Sequence, residues 1–492
     1  MRKIKRETAL LLSLAAAAFL PYLLYGFRYF PILDDYIQYW CYPAHRDLHH
    51  IYITIGTLST RPIASLLDPA FWGRMWPFMW LAVLLITAMQ VASAVLFCKA
   101  LARWRVRLSP LFALIFMLLP LGMEGRFWLS ASSRLVTGTF FAACSLYFLS
   151  GFLQEKQSLG RFLLFCVFQL ISCGFYESVS VFSAAAACLL FLLSFYENRK
   201  PVLLFVPAVS AVNIGLMFVY YKVFAALGLQ GSRASGGLAL SALPGRVVEL
   251  LRQLLEVFSL FYASTVRGCV LGVKLMFTNG VWGIFILLLV LCTSACIAVF
   301  ADKRMRWTAA RVWLFLIGGL ILFFAPLVPN VLTDPVWLTE RSLFVSIIGL
   351  ALMAEPLFGL LRGYARQIVL FLAAFVLMTA TVNEYNTYRR VHMQDEALLD
   401  TVIERMDEGS KKGEHFTCVI IPEEITAEQN AFYKDHVKSV FDSDWALTGA
   451  VRARMQSLAP QYIKPVIKGD DPKADGMQVI ELTEADLANC RK

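Results

Sequence analysis

The chain has 492 residues, of which 58% are hydrophobic and only 16% are charged, well below the roughly 25% of charged residues in soluble domains. Apolar runs of about 18 or more residues recur along it, and each is long enough to cross a bilayer core about 30 Å thick. The runs are continuous rather than alternating, which excludes a β-barrel. The sequence therefore predicts an all-α polytopic membrane protein.

The formal charge of +10 is unevenly distributed. Residues 1–383 contain 31 Lys and Arg against 15 Asp and Glu, a net +16, whereas residues 384–492 contain 14 against 20, a net −6. The basic excess lies in the apolar part, where it indicates membrane topology and phosphate binding rather than binding of nucleic acid. The 11 cysteines include no CxxC pair and no metal spacing with histidine, although Cys418 and Cys490 could pair outside the cell.

The first predicted helix, about Thr8–Phe27, follows four basic residues within Met1–Arg6. This run is long and has no convincing cleavage site, so we expect an uncleaved helix whose N-terminus is cytoplasmic. The protein is then a multi-pass protein of the plasma or inner membrane. Asp34 and Asp35 follow this helix closely and are expected at the outer face.

Ten further spans follow, and every predicted cytoplasmic segment between them carries at least two basic residues, as the positive-inside rule requires. Two longer segments, about residues 28–75 and 228–272, are predicted to lie outside, and the first is rich in the aromatic residues that suit helices at the interface. Losing one span would move the C-terminal segment to the cytoplasm. The further spans are about Trp76–Cys98, Ser109–Met123, Arg134–Leu153, two short helices within 162–196 that separate at 174–178, Val202–Leu227, Val273–Phe300, Val312–Val328, Ser342–Leu361 and Ile368–Val382.

Two domains are expected, a membrane domain over residues 1–383 and a small extracytoplasmic α/β domain over 384–492. No catalytic motif is found in the second domain. Its predicted elements are helices at Met393–Met406 and Ala427–Phe441 and strands at Phe416–Ile421 and Met477–Glu481.

Asp34 and Asp35 are the first candidates for catalytic residues, because membrane proteins rarely place acids so close to the hydrocarbon without a function. One carboxylate could act as a general base on a hydroxyl group while the other orients it or binds a metal. The alternative is a helix N-cap after Pro31. Adjacent residues in a turn point in different directions, so one aspartate is expected at the site and the other, more readily Asp35, in support.

Four arginines are predicted at the outer face, where they oppose the positive-inside bias: Arg61, Arg126, Arg134 and Arg341. Guanidinium groups match phosphate oxygens bidentately, so a lipid-phosphate site would explain them. The alternative is contact with lipid headgroups.

Two outer acids need a partner as well. Glu177 is the only acid in the apolar run 162–196, so it should pair with an arginine, contact a substrate or cap the second short helix. Glu124 is expected to pair with Arg126 or Arg134. The six histidines have no ligand spacing, and His49 and His50 are interpreted as a solvated pair rather than a metal site.

These features resemble the GT-C class of integral-membrane glycosyltransferases. Within that class, Leu33-Asp34-Asp35-Tyr36, Thr60-Arg61-Pro62, Arg126-Phe127-Trp128 and Phe175-Tyr176-Glu177 are similar to motifs of bacterial glucosyltransferases that decorate O-antigen. The resemblance covers residues 1–383 and leaves the C-terminal segment unmatched.

In such enzymes the donor is a polyprenyl-phosphate monosaccharide and the acceptor is a glycan or a lipid. The resemblance implies that Asp34 or Asp35 is the base, that Glu177 supports the site or binds sugar, and that the reaction is an inverting displacement releasing polyprenyl phosphate. The motifs require no particular cofactor, and a divalent metal at the acid pair stays open. The implied phosphate ligands are Arg61, Arg126 and Arg341.

Two other functions share some of these features. A ligase or polymerase of lipid-linked polysaccharide also has outer arginines and acids, but it favours a large outer loop late in the chain. A transporter of lipid-linked sugar would predict inverted repeats and broken helices with ionisable residues at the bilayer centre, and neither is evident in the sequence.

Overall fold

The computed structural model describes residues 2–47, 49–59, 61–155, 158–198, 204–228, 240–301, 307–332, 335–422, 437–469 and 477–490. Most of these residues are helical, with 3₁₀ and π turns between the helices. The longer helices are Arg2–Phe19, Met79–Ala102, Pro110–Leu118, Leu129–Gln154, Leu159–Cys173, Glu177–Asn198, Phe205–Ala226, Leu243–Tyr262, Gly268–Thr278, Gly280–Phe300, Ala309–Phe324, Ser346–Gly359, Tyr364–Arg405 and Asp444–Met455. The short helices are Tyr42–His45, Pro62–Leu67, Met123–Phe127, Val328–Val331, Glu340–Leu343, Glu408–Lys412 and Glu484–Cys490.

Nine helical segments in these ranges are long and apolar enough to cross a membrane, and a bent pair, Pro110–Leu118 with Pro120–Phe127, makes a tenth. Two shorter apolar helices, Leu159–Cys173 and Ser346–Gly359, accompany them. The predicted class, a helical polytopic membrane protein, is therefore confirmed in its coarse form. The number of crossings and their orientation stay predictions.

The predicted division of the run 162–196 is confirmed, because one helix ends at Cys173 and the next begins at Glu177. The predicted span Val273–Phe300 is wrong as a single helix. It is interrupted at Asn279, and Gly280 has a φ of +66°, a conformation that glycine adopts without a Cβ penalty. Hydropathy does not report such a break, because both sides of it are equally apolar.

The predicted third span is bent by 52° where Pro120 follows Leu118 and Leu119. Proline has no N–H to continue the helix, so the last carbonyls of Pro110–Leu118 need other donors. Three side chains from elsewhere supply them: Gln90 Nε2 donates to Phe116 O over 3.1 Å, Arg126 Nη1 donates to Met117 O, and Thr381 Oγ1 donates to Leu118 O over 3.1 Å.

The C-terminal part contains a three-stranded parallel sheet in which Thr417–Ile421 (β1) lies between Ile463–Ile467 (β2) and Gln478–Glu481 (β3). Strands β1, Thr417–Ile421, and β3, Gln478–Glu481, confirm the two predicted strands. Strand β2, Ile463–Ile467, was not predicted, and its internal proline is tolerated because β2 is an edge strand. Cys418 is a buried free thiol in β1, and the side chain of Cys490 lies outside the described residues, as does most of the predicted helix Ala427–Phe441.

The expected boundary at 383/384 falls inside one uninterrupted helix, Tyr364–Arg405, which also contains the predicted helix Met393–Met406 except for its last residue. The division into two domains stays a prediction. The apolar core around the sheet also includes Tyr36 from the segment after the first helix. Gly449 packs so closely against that segment that an added Cβ would lie 2.6 Å from Ile37 Cγ1. The C-terminal part therefore lies directly on the residues that follow Asp34 and Asp35.

Candidate functional site

Asp35 is fully buried and anchors three segments of the chain. Its Oδ2 accepts hydrogen bonds from the Tyr29 hydroxyl at 2.5 Å and the Ile32 N–H at 3.1 Å, and its Oδ1 accepts from the Ser130 N–H at 2.9 Å. Ser130 lies in the first turn of Leu129–Gln154, where free N–H groups favour a negative charge. Burial raises the pKa of Asp35 to about 7, although these hydrogen bonds act in the opposite direction. Asp35 thus caps a distant helix rather than its own.

Asp34 is partly exposed, unlike its neighbour. Its Oδ1 accepts a hydrogen bond of 2.7 Å from Nε1 of Trp445, and its Oδ2 has no hydrogen-bond partner among the described residues. Among the described residues, the Asp34 carboxylate accepts no hydrogen bond from a helix N–H, so the N-cap alternative does not account for Asp34. Asp34 is the aspartate of the pair that a substrate could reach.

Arg61 and Glu177 form a bidentate ion pair, which answers the question of what Glu177 binds. Arg61 Nε donates to both carboxylate oxygens at 3.1 and 3.2 Å, and Nη2 donates to Oε2 at 3.0 Å. The guanidinium also lies over the ring of Tyr176, 3.8 Å from its centroid. The two side chains remain 20% and 30% exposed, so the pair lies at an accessible surface.

Arg134 forms a similar pair with Asp68, a residue that the sequence interpretation missed. Arg134 Nη2 and Nε donate to Asp68 Oδ2 at 2.6 and 3.2 Å. The Ser133 hydroxyl lies 3.4 Å from Oδ1 of the same carboxylate and 2.9 Å from the hydroxyl of Tyr39. Asp68 was missed because it occurs in an aromatic interfacial segment with no motif around it.

Arg341 pairs with Glu124, whose expected partners were Arg126 or Arg134. The Arg341 Nη1 donates to Oε1 at 2.8 Å and its backbone N–H donates to Oε2 at 3.1 Å. The expectation missed this partner because the two residues are 217 positions apart. The guanidinium also lies 4.7 Å from the ring centroid of Trp128.

We call three ion pairs the arginine cluster: Arg61–Glu177, Arg134–Asp68 and Arg341–Glu124. Arg61 and Arg134 lie within electrostatic range of each other. Burial acts to lower the pKa of Arg341, but Glu124 raises it most strongly among the neighbouring charges, and the net direction is upward. Tyr176 and Asp34 act on Arg341 in the same direction, so both lie within its electrostatic range.

Two tyrosines lie between charged residues of this region. Tyr176 lies under Arg61 and within electrostatic range of Arg341. Burial and the charge of Asp34 raise the pKa of Tyr42 to about 12, and Arg134 acts on the same hydroxyl in the opposite direction. The structure therefore places Asp34 within electrostatic range of Arg341, and it places Asp34 and Arg134 within range of the same Tyr42 hydroxyl.

Arg126 does not belong to this cluster. Its guanidinium is buried and donates to the Met117 carbonyl, to Met123 Sδ at 2.7 Å and to Thr381 Oγ1 at 3.4 Å. A cation at the C-terminal end of the broken helix is favoured by the helix dipole. In this structure Arg126 supports a helix end, and its predicted role as a phosphate ligand stays a prediction.

Arg61 and Arg134 retain capacity to bind an anion although each is paired. The hydrogen bonds of Arg61 and Arg134 to their acids use only Nε and Nη2, and neither Nη1 has a hydrogen-bond partner among the described residues. A guanidinium has five N–H donors, so a phosphate oxygen could bind Nη1 without breaking the ion pair. The acids meanwhile hold each guanidinium in a fixed orientation.

Groups of three or more His, Cys, Asp or Glu side chains arranged to hold a metal ion do not occur within the described residues. The donor set at Asp34 and Asp35 does not fit a metal site, because the Asp35 oxygens are occupied by N–H and O–H donors. We therefore derive no step through a metal.

A scan against protein-family models and a search of curated proteins find no match to this chain.

Proposed function

We propose that this chain is a membrane glycosyltransferase that moves a monosaccharide from a polyprenyl-phosphate donor to a glycan or lipid-linked acceptor at the outer face. The observation that carries the proposal is the position of Asp34, a partly exposed carboxylate within electrostatic range of Arg341 in a cluster of three arginines. A base beside a group of oriented guanidinium ions suits attack by a hydroxyl on a carbon that bears a phosphate.

In the proposed reaction, Asp34 takes the proton of the acceptor hydroxyl as its oxygen attacks the anomeric carbon of the donor. The bond between that carbon and the phosphate oxygen breaks, and polyprenyl phosphate leaves with the electron pair. The configuration at the anomeric carbon inverts because attack and departure are on opposite faces. The arginine cluster stabilises the charge that develops on the leaving phosphate.

The contact between Asp34 and Trp445 also supports the expected topology. Asp34 follows the first span and Trp445 follows the last helix of the apolar part. Two residues in contact outside the bilayer lie on one side of it, so the chain crosses an even number of times between them. Including the first span, the number of crossings is odd, which agrees with a cytoplasmic N-terminus and an extracytoplasmic C-terminal domain.

The described residues contain twelve apolar helical segments, counting the nine long ones, the bent pair and the two short ones. One of them, Leu243–Thr278, suits the outer surface rather than a crossing. The Tyr25 hydroxyl, at the end of the first span, donates to Asn386 of the Tyr364–Arg405 helix. Gly272 of the Leu243–Thr278 segment packs against Thr379, which lies two turns before Asn386 on that helix. This contact supports an outer position for the segment, level with the outer end of the first span, and the proposal then counts eleven crossings.

The two alternatives find less support. The segment between the Val328–Val331 helix and the Ser346–Gly359 helix is short, whereas a ligase or polymerase favours a large late outer loop. For a transporter, the buried Glu355 would be the ionisable residue of interest. Its carboxylate instead accepts the Ser109 N–H and hydroxyl and the Phe112 N–H, which caps the Pro110–Leu118 helix.

The proposal is tested with purified protein in lipid nanodiscs, supplied with a panel of undecaprenyl-phosphate monosaccharides. The acceptor is a lipid-linked glycan extract, and the assay follows both released undecaprenyl phosphate and labelled glycan. We expect Asp34→Asn to lower the rate at least about 100-fold, the usual size of a general-base contribution. Asp47→Asn is the matched control, because Asp47 is an exposed acid of the same outer segment. Equal activity of Asp34→Asn and wild type would overturn the proposal.

The arginine cluster is tested in the same assay by product inhibition with undecaprenyl phosphate. We expect Arg61→Gln and Arg341→Gln to lower the rate by about 10- to 1,000-fold and to weaken inhibition by the lipid phosphate. Arg74→Gln is the matched control, since Arg74 is an exposed arginine of the same outer segment. Loss of inhibition in the control to the same extent would mean that the arginines act only on lipid headgroups.

A further inference from the structure

Trp445 is held against the membrane part by the helix that carries it. The helix Asp444–Met455 places Gly449 against Ile37, and the Cys41 thiol donates to the Gly449 carbonyl over 3.8 Å. A side chain larger than glycine at position 449 would separate the two surfaces. Trp445 lies one turn earlier on this helix, so the close packing at Gly449 fixes its position beside Asp34.

The indole of Trp445 has one engaged edge and a large exposed surface. Its N–H donates to Asp34 at 2.7 Å, yet 47% of the residue is exposed. Three of the next five residues of the helix, Ala446, Leu447 and Ala450, are fully buried. A large exposed ring beside a carboxylate, directly before a buried stretch of the helix at residues 446–451, calls for an explanation other than core packing.

Asp34 thus lies between two different surfaces. The arginine cluster, contributed by the membrane part, is charged and suits the phosphate of a donor. Trp445, contributed by the C-terminal part, is aromatic and lacks a charge. A hydroxyl that Asp34 deprotonates would approach from the side that the arginines do not occupy.

We infer that Trp445 is a binding residue for the acceptor and that this acceptor is a carbohydrate. The C–H face of a sugar ring is apolar and weakly positive, and it complements the negative face of an indole. A hydroxyl of the same sugar would then lie against the Asp34 carboxylate. This inference rests on the proposed function, and it gives the C-terminal part the role of acceptor recognition.

The inference is tested first by binding, without any turnover. Saturation-transfer NMR on the purified full chain uses a panel of methyl glycosides of glucose, galactose, mannose, rhamnose and N-acetylglucosamine as probes. We expect at least one glycoside to bind the wild-type protein, Trp445→Ala to weaken that binding about tenfold, and Trp445→Phe to retain most of it. Trp313→Ala is the control, because Trp313 is an exposed tryptophan of an apolar helix.

Trp445→Leu is included in case the alanine variant does not fold, because leucine keeps an apolar side chain but has no aromatic face. In the transfer assay, the loss in the Ala and Leu variants should fall on the KM for the acceptor and leave the KM for the donor unchanged. A purely structural role would change both constants together, and it would overturn the inference.

Absence of glycoside binding by the wild type, or equal binding by Trp445→Leu, would also overturn the inference. The proposed function is judged separately, by release of undecaprenyl phosphate that depends on Asp34. Release that needs Asp34, combined with unchanged glycoside binding in the Trp445 variants, would remove the inference and leave the proposed function in place.

Discussion

Asp35 accepts the backbone N–H of Ser130 at 2.9 Å across 95 positions of the sequence, so it joins the first outer segment to the start of the Leu129–Gln154 helix. Asparagine at this position has only one side-chain oxygen, so its NH2 group would face a donor that now binds a carboxylate oxygen. A buried N–H would be left without an acceptor, at a cost of about 1–3 kcal/mol. We expect Asp35→Asn to lower the unfolding temperature, whereas Asp34→Asn lowers activity and leaves that temperature unchanged. Thermal unfolding of both variants in detergent measures the difference. The reverse pattern would exchange the roles of the two aspartates.

The raised pKa of Asp35 makes stability depend on pH. Its pKa is about 7 in the folded protein against an ordinary value of 3.8, so the unfolded chain loses this proton first. The stabilisation is complete below about pH 3.8, falls as the pH rises towards 7 and is lost above it, a span of roughly 4 kcal/mol. We expect the unfolding temperature of the wild type to fall between pH 5 and 7.5 relative to that of Asp35→Asn. Parallel curves for the two proteins would contradict this assignment.

Gly272 meets the backbone of the Tyr364–Arg405 helix, where an added Cβ would overlap the Thr379 carbonyl oxygen. The backbone cannot move aside as a flexible side chain would, so we expect Gly272→Ala to destabilise the protein by about 1–3 kcal/mol. Gly215→Ala is the matched control, because nothing lies within 4 Å of its added Cβ. Thermal unfolding of the two variants decides the matter, and an equal unfolding temperature for both would mean that the two helices separate readily.

The side of the membrane on which the C-terminal part lies can be determined by labelling. Lys464 is exposed on β2, beside Cys418 of β1. We expect Lys464→Cys to react with an impermeant maleimide added to intact cells, and Arg105→Cys, an exposed position after the Met79–Ala102 helix, to react only after permeabilisation. The chain without either added cysteine gives the background. Labelling of Lys464→Cys only after permeabilisation would make the number of crossings even.

The sequence predicts features that hydropathy and turn residues signal locally, and it fails where neither signal is present. The helix break before Glu177 and strands β1 and β3 were predictable, because hydropathy and turn residues are local signals. The interruption at Gly280 was not, because it depends on a backbone conformation within a uniformly apolar run.

The site divides in the same way. The acids and arginines could be identified as candidates from the sequence, because charged residues in an apolar chain are energetically costly. The sequence could not show which acid pairs with which arginine. Glu124 binds an arginine 217 positions away, and Asp34 binds a tryptophan 411 positions away. Arg126 has the same local signal as Arg341, yet it serves a broken helix end. Only the fold distinguishes an arginine that faces a surface from one that faces a carbonyl.

The helix Tyr364–Arg405 has 42 residues, a length of about 63 Å, roughly twice the thickness of the hydrocarbon layer. One rigid rod therefore begins among the membrane helices and ends in the core around the sheet. Thinner or thicker bilayers change the tilt of such a rod, and a tilt of about 10° moves its far end by about 11 Å. We therefore expect the acyl-chain length of the surrounding lipid to affect the contact between the two parts of the chain.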